Sequence, residues 1–541
     1  MRVLIFHGYL LGGTGSNVYN AQLATALVGL GHEVHLLSQD RHPERQPFVD
    51  AVGDWDGGAL RLRELERPVR AHEEARRGRC IVYRPDIGNL LPVYVADRYE
   101  GIEARTFARC SDCELAHYLD ANVAAVAEIV GLARPQLALA NHLIMGPAIL
   151  ARALAGAIPY AVKVHGSALE YTVKPEPERF LAVAREGLAP ARAVLVGSRH
   201  TALSLWHTLA DPELPRRTRL GPPGVDVARF APREPARAAA GVHELAARLK
   251  LGAAEAEAAA THEGEREPQP DDDVFARDVL GAARAVEQLD PERDALVAFV
   301  GKLIVSKGID LLLASWPLVL EAVPQARLVV VGFGAYQDAV ERLCAALAAG
   351  DLERARELAR AGRALEDPSR PAQPLRHLLA FFDSLQGAER ARYLEAASQL
   401  GRRLVLTGRL EHEELADLLP ACDAVVVPST FPEAFGMVAA EAAACAAMPI
   451  SAAHSGLAEV STVLAHAIPQ EAAAWLSFAV DDHAVQALAA AIIGWLSADA
   501  ALRARTRAGL VATVRERWSW EGVARGVIAA ASDDLEALEE P

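Results

Sequence analysis

The sequence predicts an α/β protein built from two doubly wound parallel-sheet domains. Three observations carry that expectation. Short apolar, β-branched runs alternate with helix-length stretches along most of the chain, the pattern of strand–helix–strand units around a parallel sheet. The 541 residues exceed one comfortable domain and suggest two with insertions. A Pro/Gly-rich break, Gly221-Pro222-Pro223-Gly224, separates the two series.

Composition narrows the function classes. A hydrophobic fraction of 51% allows large cores, and much of it is alanine, which favours helix. The formal net charge of −16 argues against general affinity for nucleic acid or anionic lipid. No run of about 18 apolar, uncharged residues is evident, so no membrane span is expected, and at most peripheral membrane contact. Met1-Arg2-Val3-Leu4-Ile5-Phe6 leads straight into a folded motif, so no signal peptide is expected. Six cysteines give no disulfide framework and point to a reducing compartment, the cytoplasm. Cys110 and Cys113 with His117 lack a second pair at zinc spacing, so no metal site is expected there.

In the first half, strands are expected at 2–6, 33–38, 81–84, 137–140, 160–164 and 193–196, with helices at about 17–29 and 112–132. Residues 40–110 otherwise read as irregular. Gly12-Gly13-Thr14-Gly15 lies at the first strand-to-helix turn, but its spacing is not Gly-x-Gly-x-x-Gly. No acidic residue cleanly ends the next strand either, which weakens a nicotinamide-dependent oxidoreductase reading. Three strands deliver His142, His165 and Ser198 to one edge of the sheet, where ligands of open α/β sheets bind.

The second half opens with an Ala/Glu/Arg-rich segment, 232–293, read as a partly helical insertion with a mobile middle at 261–273. A strand at 296–300 then runs into Gly301-Lys302-Leu303-Ile304-Val305-Ser306-Lys307-Gly308. Two lysines in such a loop neutralise a diphosphate without a metal. A strand at 328–331 and a helix at 336–349 precede a second helical insertion, 351–400, broken by Pro368, Pro371 and Pro374. The strand at 404–407 ends in Gly408-Arg409-Leu410, and His412 opens the next helix.

The apolar run 424–427 ends in Pro428-Ser429-Thr430-Phe431-Pro432-Glu433-Ala434-Phe435-Gly436, and a helix follows. The backbone N–H groups of Phe435, Gly436, Met437 and Val438 would favour negative charge or hydroxyl oxygens. Glu433 stands before this helix, and Glu441 is inside it, about 7.5 Å further along the axis. Two carboxylates so placed read two parts of one long ligand.

Glu433 and Glu441 form Glu-x7-Glu within Pro-Ser-x-x-Pro-Glu-x-Phe-Gly, which resembles the donor-site signature of retaining glycosyltransferases of family 4, with the GT-B fold. The resemblance covers roughly 1–230, 295–350 and 400–530. It implies two facing Rossmann-like domains: an acceptor-side domain, 1–222, and a nucleotide-sugar domain, 223–511, carrying both insertions. A terminal helical segment, 512–541, would cross back to the first.

The resemblance also assigns roles. Gly12 and Gly13 let the first loop approach the donor diphosphate, and His165, in Val162-Lys163-Val164-His165-Gly166, approaches the donor sugar. Lys307 and Lys302 clamp the diphosphate, Lys302 standing where the family normally has an arginine. Arg409 and Leu410 border the base. Glu441 holds ribose hydroxyls, and Glu433 holds those of the sugar. Asn17 and His142 are acceptor-side candidates. The implied co-substrate is a nucleotide-diphosphate-sugar, the acceptor a hydroxyl on a sugar, glycan or lipid-linked sugar, and no metal is required. The implied mechanism is front-side attack with retention. A glycogen-synthase-like or sucrose-type transferase and a non-catalytic sugar-nucleotide-binding protein remain the alternatives.

Overall fold

The computed structural model describes every residue except 14, 57, 67–77, 96–101, 261–276 and 368–370. It divides the chain into two compact units, Met1–Gly224 with Trp518–Pro541, and Val225–Arg517. Both boundaries differ slightly from expectation. Gly224 belongs with the first unit because its backbone lies against Trp520, where an added Cβ would come within 2.7 Å of the ring. The expected boundary at 512 falls inside the helix Ala500–Arg517, so the break comes at Trp518.

The first unit contains β1 (Arg2–Phe6), β2 (Glu33–Leu37), β3 (Ala51–Asp56), β4 (Ala59–Glu64), β5 (Arg79–Arg84), β6 (Leu90–Val93), β7 (Glu103–Thr106), β8 (Leu137–Asn141), β9 (Tyr160–Val164), β10 (Ala193–Val196) and β11 (Thr218–Leu220). Nine of these form one sheet in the order β11-β10-β9-β8-β1-β2-β5-β3-β4, while β6 and β7 pair separately. The central strands are buried and mostly apolar because helices cover both faces, with His35 of β2 and Lys163 of β9 as buried polar exceptions. On one face, the helix Gly15–Gly29 and the C-terminal helix Trp520–Ala531 share a core, with the rings of Tyr19 and Trp520 5.5 Å apart.

One expectation needs correction here. Residues 40–110 are less irregular than their sequence suggests, since β3 and β4 form an antiparallel hairpin on the sheet edge. The exposed β4, Ala-Leu-Arg-Leu-Arg-Glu, carries the charge typical of an edge strand, which masks its β pattern. The helix Asp112–Ala133 is also long and apolar enough to cross a membrane by length and composition alone. It packs Leu115, Tyr118, Leu119, Val126 and Ile129 into the core of this unit, as a core helix does.

The second unit contains β12 (Ala295–Val300), β13 (Ala326–Val331), β14 (Leu404–Gly408), β15 (Ala424–Val427), β16 (Met448–Ala452) and β17 (Ser477–Phe478). All run parallel in the order β14-β13-β12-β15-β16-β17. Counted within the unit this is 3-2-1-4-5-6, the order of doubly wound nucleotide-binding sheets. The first insertion supplies helices Pro235–Ala260 and Val279–Val286, and the second supplies Leu352–Ala361, Arg376–Ser384 and Gly387–Ala397. The expected mobile stretch at 261–273, and Pro368, lie outside the described residues.

Strand order reverses between β1 and β8 in the first unit and between β12 and β15 in the second. Crevices at the carboxyl ends of these strands are where open α/β sheets bind ligands. His7 and Asn141 follow or end the first pair; Gly301 and Pro428 follow the second.

Candidate functional site

In the second unit, the loop after β12 closes with a short 3-10 turn, Val305–Lys307, and then Gly308 at φ 67°. A Cβ on Gly308 would lie 2.0 Å from the Pro428 carbonyl oxygen, so only glycine allows the loops after β12 and β15 to approach this closely. The Thr430 N–H donates to the Ser306 carbonyl at 2.9 Å and ties them together.

That approach sets Lys307 against Glu433. The Lys307 ammonium donates to Glu433 Oε1, and Ser429 Oγ donates to the same oxygen at 2.6 Å. The Glu433 N–H donates to Ser455 Oγ at 2.9 Å. His454 braces both sides, with Nε2 donating to the Ser429 carbonyl at 2.8 Å and Nδ1 3.0 Å from Ser455 Oγ. Burial pushes the Glu433 carboxyl up, but the Lys307 charge and the hydrogen bonds from Lys307 and Ser429 outweigh it and hold the carboxyl below its ordinary range. Glu433 is a fixed anion.

Glu441 lies in the helix Met437–Ala444 and is only 4% exposed. His412 Nε2 donates to its Oε1 at 2.8 Å, and the His412 ring packs 4.7 Å from Phe230. Burial lowers the His412 pKa, yet the hydrogen bond and charge of Glu441 reverse that and raise it. Sequence reading placed His412 only as a helix start and missed this contact. No local signal gives it, because its partner is 29 residues away. The first insertion bears on the helix His412–Leu418, since Arg248 pairs with Asp417 at 2.7 Å.

The remaining candidates of this unit sit around these two. Gly436 is the N-cap of the helix, at φ 145°, with no side-chain cap; Met437 and Val438 form its first turn, and Phe435 is buried. A Cβ on Gly436 would lie 2.8 Å from Leu457. Arg409 pairs with Glu411 at 3.0 Å and lies 5.3 Å over the Phe333 ring, while Leu410 is buried. Lys302 is half-buried at the start of the lysine loop, and its carbonyl accepts from Ile304 N–H at 3.0 Å.

The first unit joins most of its candidates by hydrogen bonds. Asn17 Nδ2 donates to the Gly12 carbonyl at 2.7 Å, and Asn17 Oδ1 lies 3.0 Å from His7 Nε2, which also meets the Leu10 carbonyl at 2.9 Å. Asn20 Nδ2 donates to His7 Nδ1 at 3.0 Å and to the Ser16 carbonyl at 2.9 Å. Asn141 Nδ2 donates to Asn20 Oδ1 at 2.8 Å and to the Phe6 carbonyl at 3.2 Å. His165 Nε2 lies 2.8 Å from Asn141 Oδ1. Burial pushes His7 down to about 4 and His165 well below the ordinary histidine range, so both rings are neutral. Gly13 takes φ 89° in the loop.

Two acceptor-side candidates are buried, and Ser198 at the same sheet edge is engaged in a helix cap. Asn17 is 2% exposed with both ends of its amide engaged, and it holds the Gly12 loop. His142 is equally buried, its ring centroid 4.6 Å from that of Tyr94 and 4.8 Å from that of His165. Ser198 caps the helix Arg199–Leu209 by accepting the Thr201 N–H at 3.2 Å. Among the described residues, no three His, Cys, Asp or Glu side chains are grouped to hold a metal ion.

Residues 377–509 match the family model described as Glycosyl transferases group 1, a segment that includes Arg409, Leu410, Glu433 and Glu441. The sucrose-phosphate synthase of Thermosynechococcus elongatus superposes with a TM-score of 0.55 at 20% identity, over 99% of both chains. Anabaena HepE in complex with UDP and glucose superposes at 0.53 and 16% identity, over 98% of this chain and 99% of that one. The fold is GT-B.

A D-inositol 3-phosphate glycosyltransferase of Segniliparus rotundus is 31% identical to this GT-B chain over 268 residues, 49% of this chain and 45% of that protein. A protein of the same description from a Mycobacterium species is 30% identical over 190 residues, 35% of this chain and 31% of that protein. The chain thus spans less than half the length of these curated relatives.

Proposed function

We propose that the protein is a retaining glycosyltransferase of family 4, moving a sugar from a nucleotide-diphosphate-sugar to a hydroxyl acceptor in the cytoplasm without a metal. The observation that carries this reading is the Lys307–Glu433 pair at the β12/β15 reversal, with Glu441 in the helix that follows. A cation, a fixed anion and a buried second carboxylate suit a diphosphate, a sugar and a ribose in turn. The group 1 family match over 377–509 supports it, as do GT-B structures solved with UDP and with UDP-glucose.

In this mechanism Lys307 and Lys302 stabilise the charge developing on the departing diphosphate. The bond from the anomeric carbon to the phosphate oxygen breaks while the acceptor oxygen bonds to the same face. The acceptor proton passes to the departing phosphate oxygen, giving the nucleoside diphosphate. Glu433 holds sugar hydroxyls and steers the ring. With Oε1 already taking hydrogen bonds from Lys307 and Ser429, it is a poor covalent nucleophile, which favours the front-side route. Glu441 receives the ribose hydroxyls.

A thermal-shift panel of nucleoside diphosphates and their sugars, followed by donor hydrolysis with the best binder, tests the reading. Stabilisation by one nucleoside diphosphate series and slow release of sugar are expected. No stabilisation by any member contradicts it.

A further inference from the structure

The hydrogen bonds that link Gly12 to His165 run in a single direction, and four backbone carbonyls determine it. Carbonyl oxygens only accept. Gly12 therefore requires the nitrogen of the Asn17 amide, which turns Asn17 Oδ1 toward His7. Leu10 requires a proton on His7 Nε2, leaving Nδ1 a bare acceptor in the neutral ring. Ser16 and that Nδ1 both require the nitrogen of Asn20, so Asn20 Oδ1 faces Asn141. Phe6 and Asn20 Oδ1 both require the nitrogen of Asn141, so Asn141 Oδ1 faces His165 Nε2.

We propose that Asn17, His7, Asn20 and Asn141 are positioning residues that hold His165 as its neutral Nε2–H tautomer, so that Nδ1 is offered as an acceptor to a sugar hydroxyl. The chain has no slack, because reversing any member sets two donors or two acceptors face to face in a buried site. Each such mismatch costs the full penalty of an unsatisfied buried group. His7, Asn20 and Asn141 are each 1% exposed or less, so water does not rescue a reversed link. Protonating His7 would place an N–H against the Asn20 amide nitrogen, which agrees with the depressed pKa that burial gives it. The same chain ties the Gly12 carbonyl to His165, so the glycine loop and the imidazole are set as one unit. His165 then contributes no proton at neutral pH, and its chemistry is that of an acceptor. The ligand half of this assignment rests on the glycosyltransferase reading; the tautomer half does not.

Long-range ¹H–¹⁵N correlation spectra of the 541-residue chain labelled with ¹⁵N-histidine test both halves, with His165 assigned by the signals lost in His165→Gln. The expected wild-type spectrum shows a protonated Nε2 and an unprotonated Nδ1 for His165, unchanged from about pH 5.5 to 8, a range that spans the ordinary histidine pKa. Asn141→Leu, which removes the oxygen that faces His165 Nε2, should yield mixed or exchange-broadened tautomers. A wild-type Nδ1–H, or an Asn141→Leu spectrum identical to wild type, overturns the chain. The wild-type spectrum decides the tautomer even if Asn141→Leu fails to fold. UDP-glucose should shift the Nδ1 resonance where UDP does not. If the protein binds UDP-glucose and Nδ1 stays unmoved, the hydroxyl contact is wrong while the tautomer assignment stands.

Discussion

The Lys307 ammonium is hydrogen-bonded to Glu433 Oε1, joining two loops 126 residues apart in sequence. The pair keeps a half-buried carboxylate ionised and holds a lysine where two strand ends meet. On the proposed reading, an arriving diphosphate shares the Lys307 ammonium with Glu433. The site is therefore charge-balanced before the donor binds, and little reorganisation is required.

Lys307→Met should lower kcat by about 10²- to 10³-fold, the typical cost of deleting one donor that stabilises developing charge. It should also leave burial at Glu433 opposed only by Ser429 and His454, raising that carboxyl. The pH–rate profile of the variant should gain an acid limb at higher pH than wild type. An unchanged profile with normal turnover would separate Lys307 from the chemistry.

Much of this site was legible in the sequence because it is local. Glu433, Gly436 and Glu441 share one strand–loop–helix segment, and the Val run of β15 and the helix after Gly436 announce themselves by pattern. Gly308 likewise stands at a strand-to-helix loop, and its close approach to Pro428 confirms why glycine is there. What the sequence did not show is long-range. The contacts of His412 with Glu441 and of Asn141 with His165 and Asn20 join residues that only the sheet order brings together. Asn17 and His142 were placed near the right strand ends, but burial decides that they face inward. The hairpin β3–β4 was hidden because an exposed edge strand carries charge in place of an apolar run.

Transfer is expected to continue in the presence of a chelator, because Lys302, Lys307 and the start of the helix Met437–Ala444 supply the positive charge that the diphosphate needs. The check is turnover after exhaustive EDTA treatment, with and without added Mg²⁺ or Mn²⁺. Loss on chelation and recovery with metal would contradict the lysine clamp.

Acid sensitivity of the fold follows from the buried histidines. His7 ionises at about 4 in the fold against 6.5 unfolded, because burial disfavours the cation. The unfolded chain then binds more protons between those values, so stability falls as pH drops from 6.5 towards 4. His142 and His165 act in the same direction. Asp310 opposes them: burial raises it to about 7, so its contribution is lost as pH rises from 3.8 to 7. Asp310→Asn should therefore raise the Tm at neutral pH and steepen the acid loss, as read by melting curves across this range.

The second insertion reaches the lysine loop, because the Val305 N–H donates to Glu366 Oε1. Glu366→Ala should loosen that loop and weaken nucleoside diphosphate binding by about 1 kcal/mol, whereas Glu366→Gln keeps an acceptor and should stay near wild type. Calorimetric titration of both variants distinguishes them. Equal affinities would show that the insertion does not set the loop.

The most direct test is titration of Glu441→Gln and Glu433→Gln with the preferred nucleoside diphosphate, free and sugar-linked. Glu441, buried inside the helix and held by His412, is assigned to the ribose, where a carboxylate accepts from both hydroxyls and an amide offers one acceptor oxygen. The account predicts that Glu441→Gln weakens the free diphosphate by about 1.5–3 kcal/mol, as expected for hydrogen bonds to a charged group. It predicts that Glu433→Gln leaves the free diphosphate nearly unchanged and weakens only the sugar-linked form. Equal losses of free diphosphate affinity in the two variants would contradict the division of labour between the glutamates, and with it the proposed donor site.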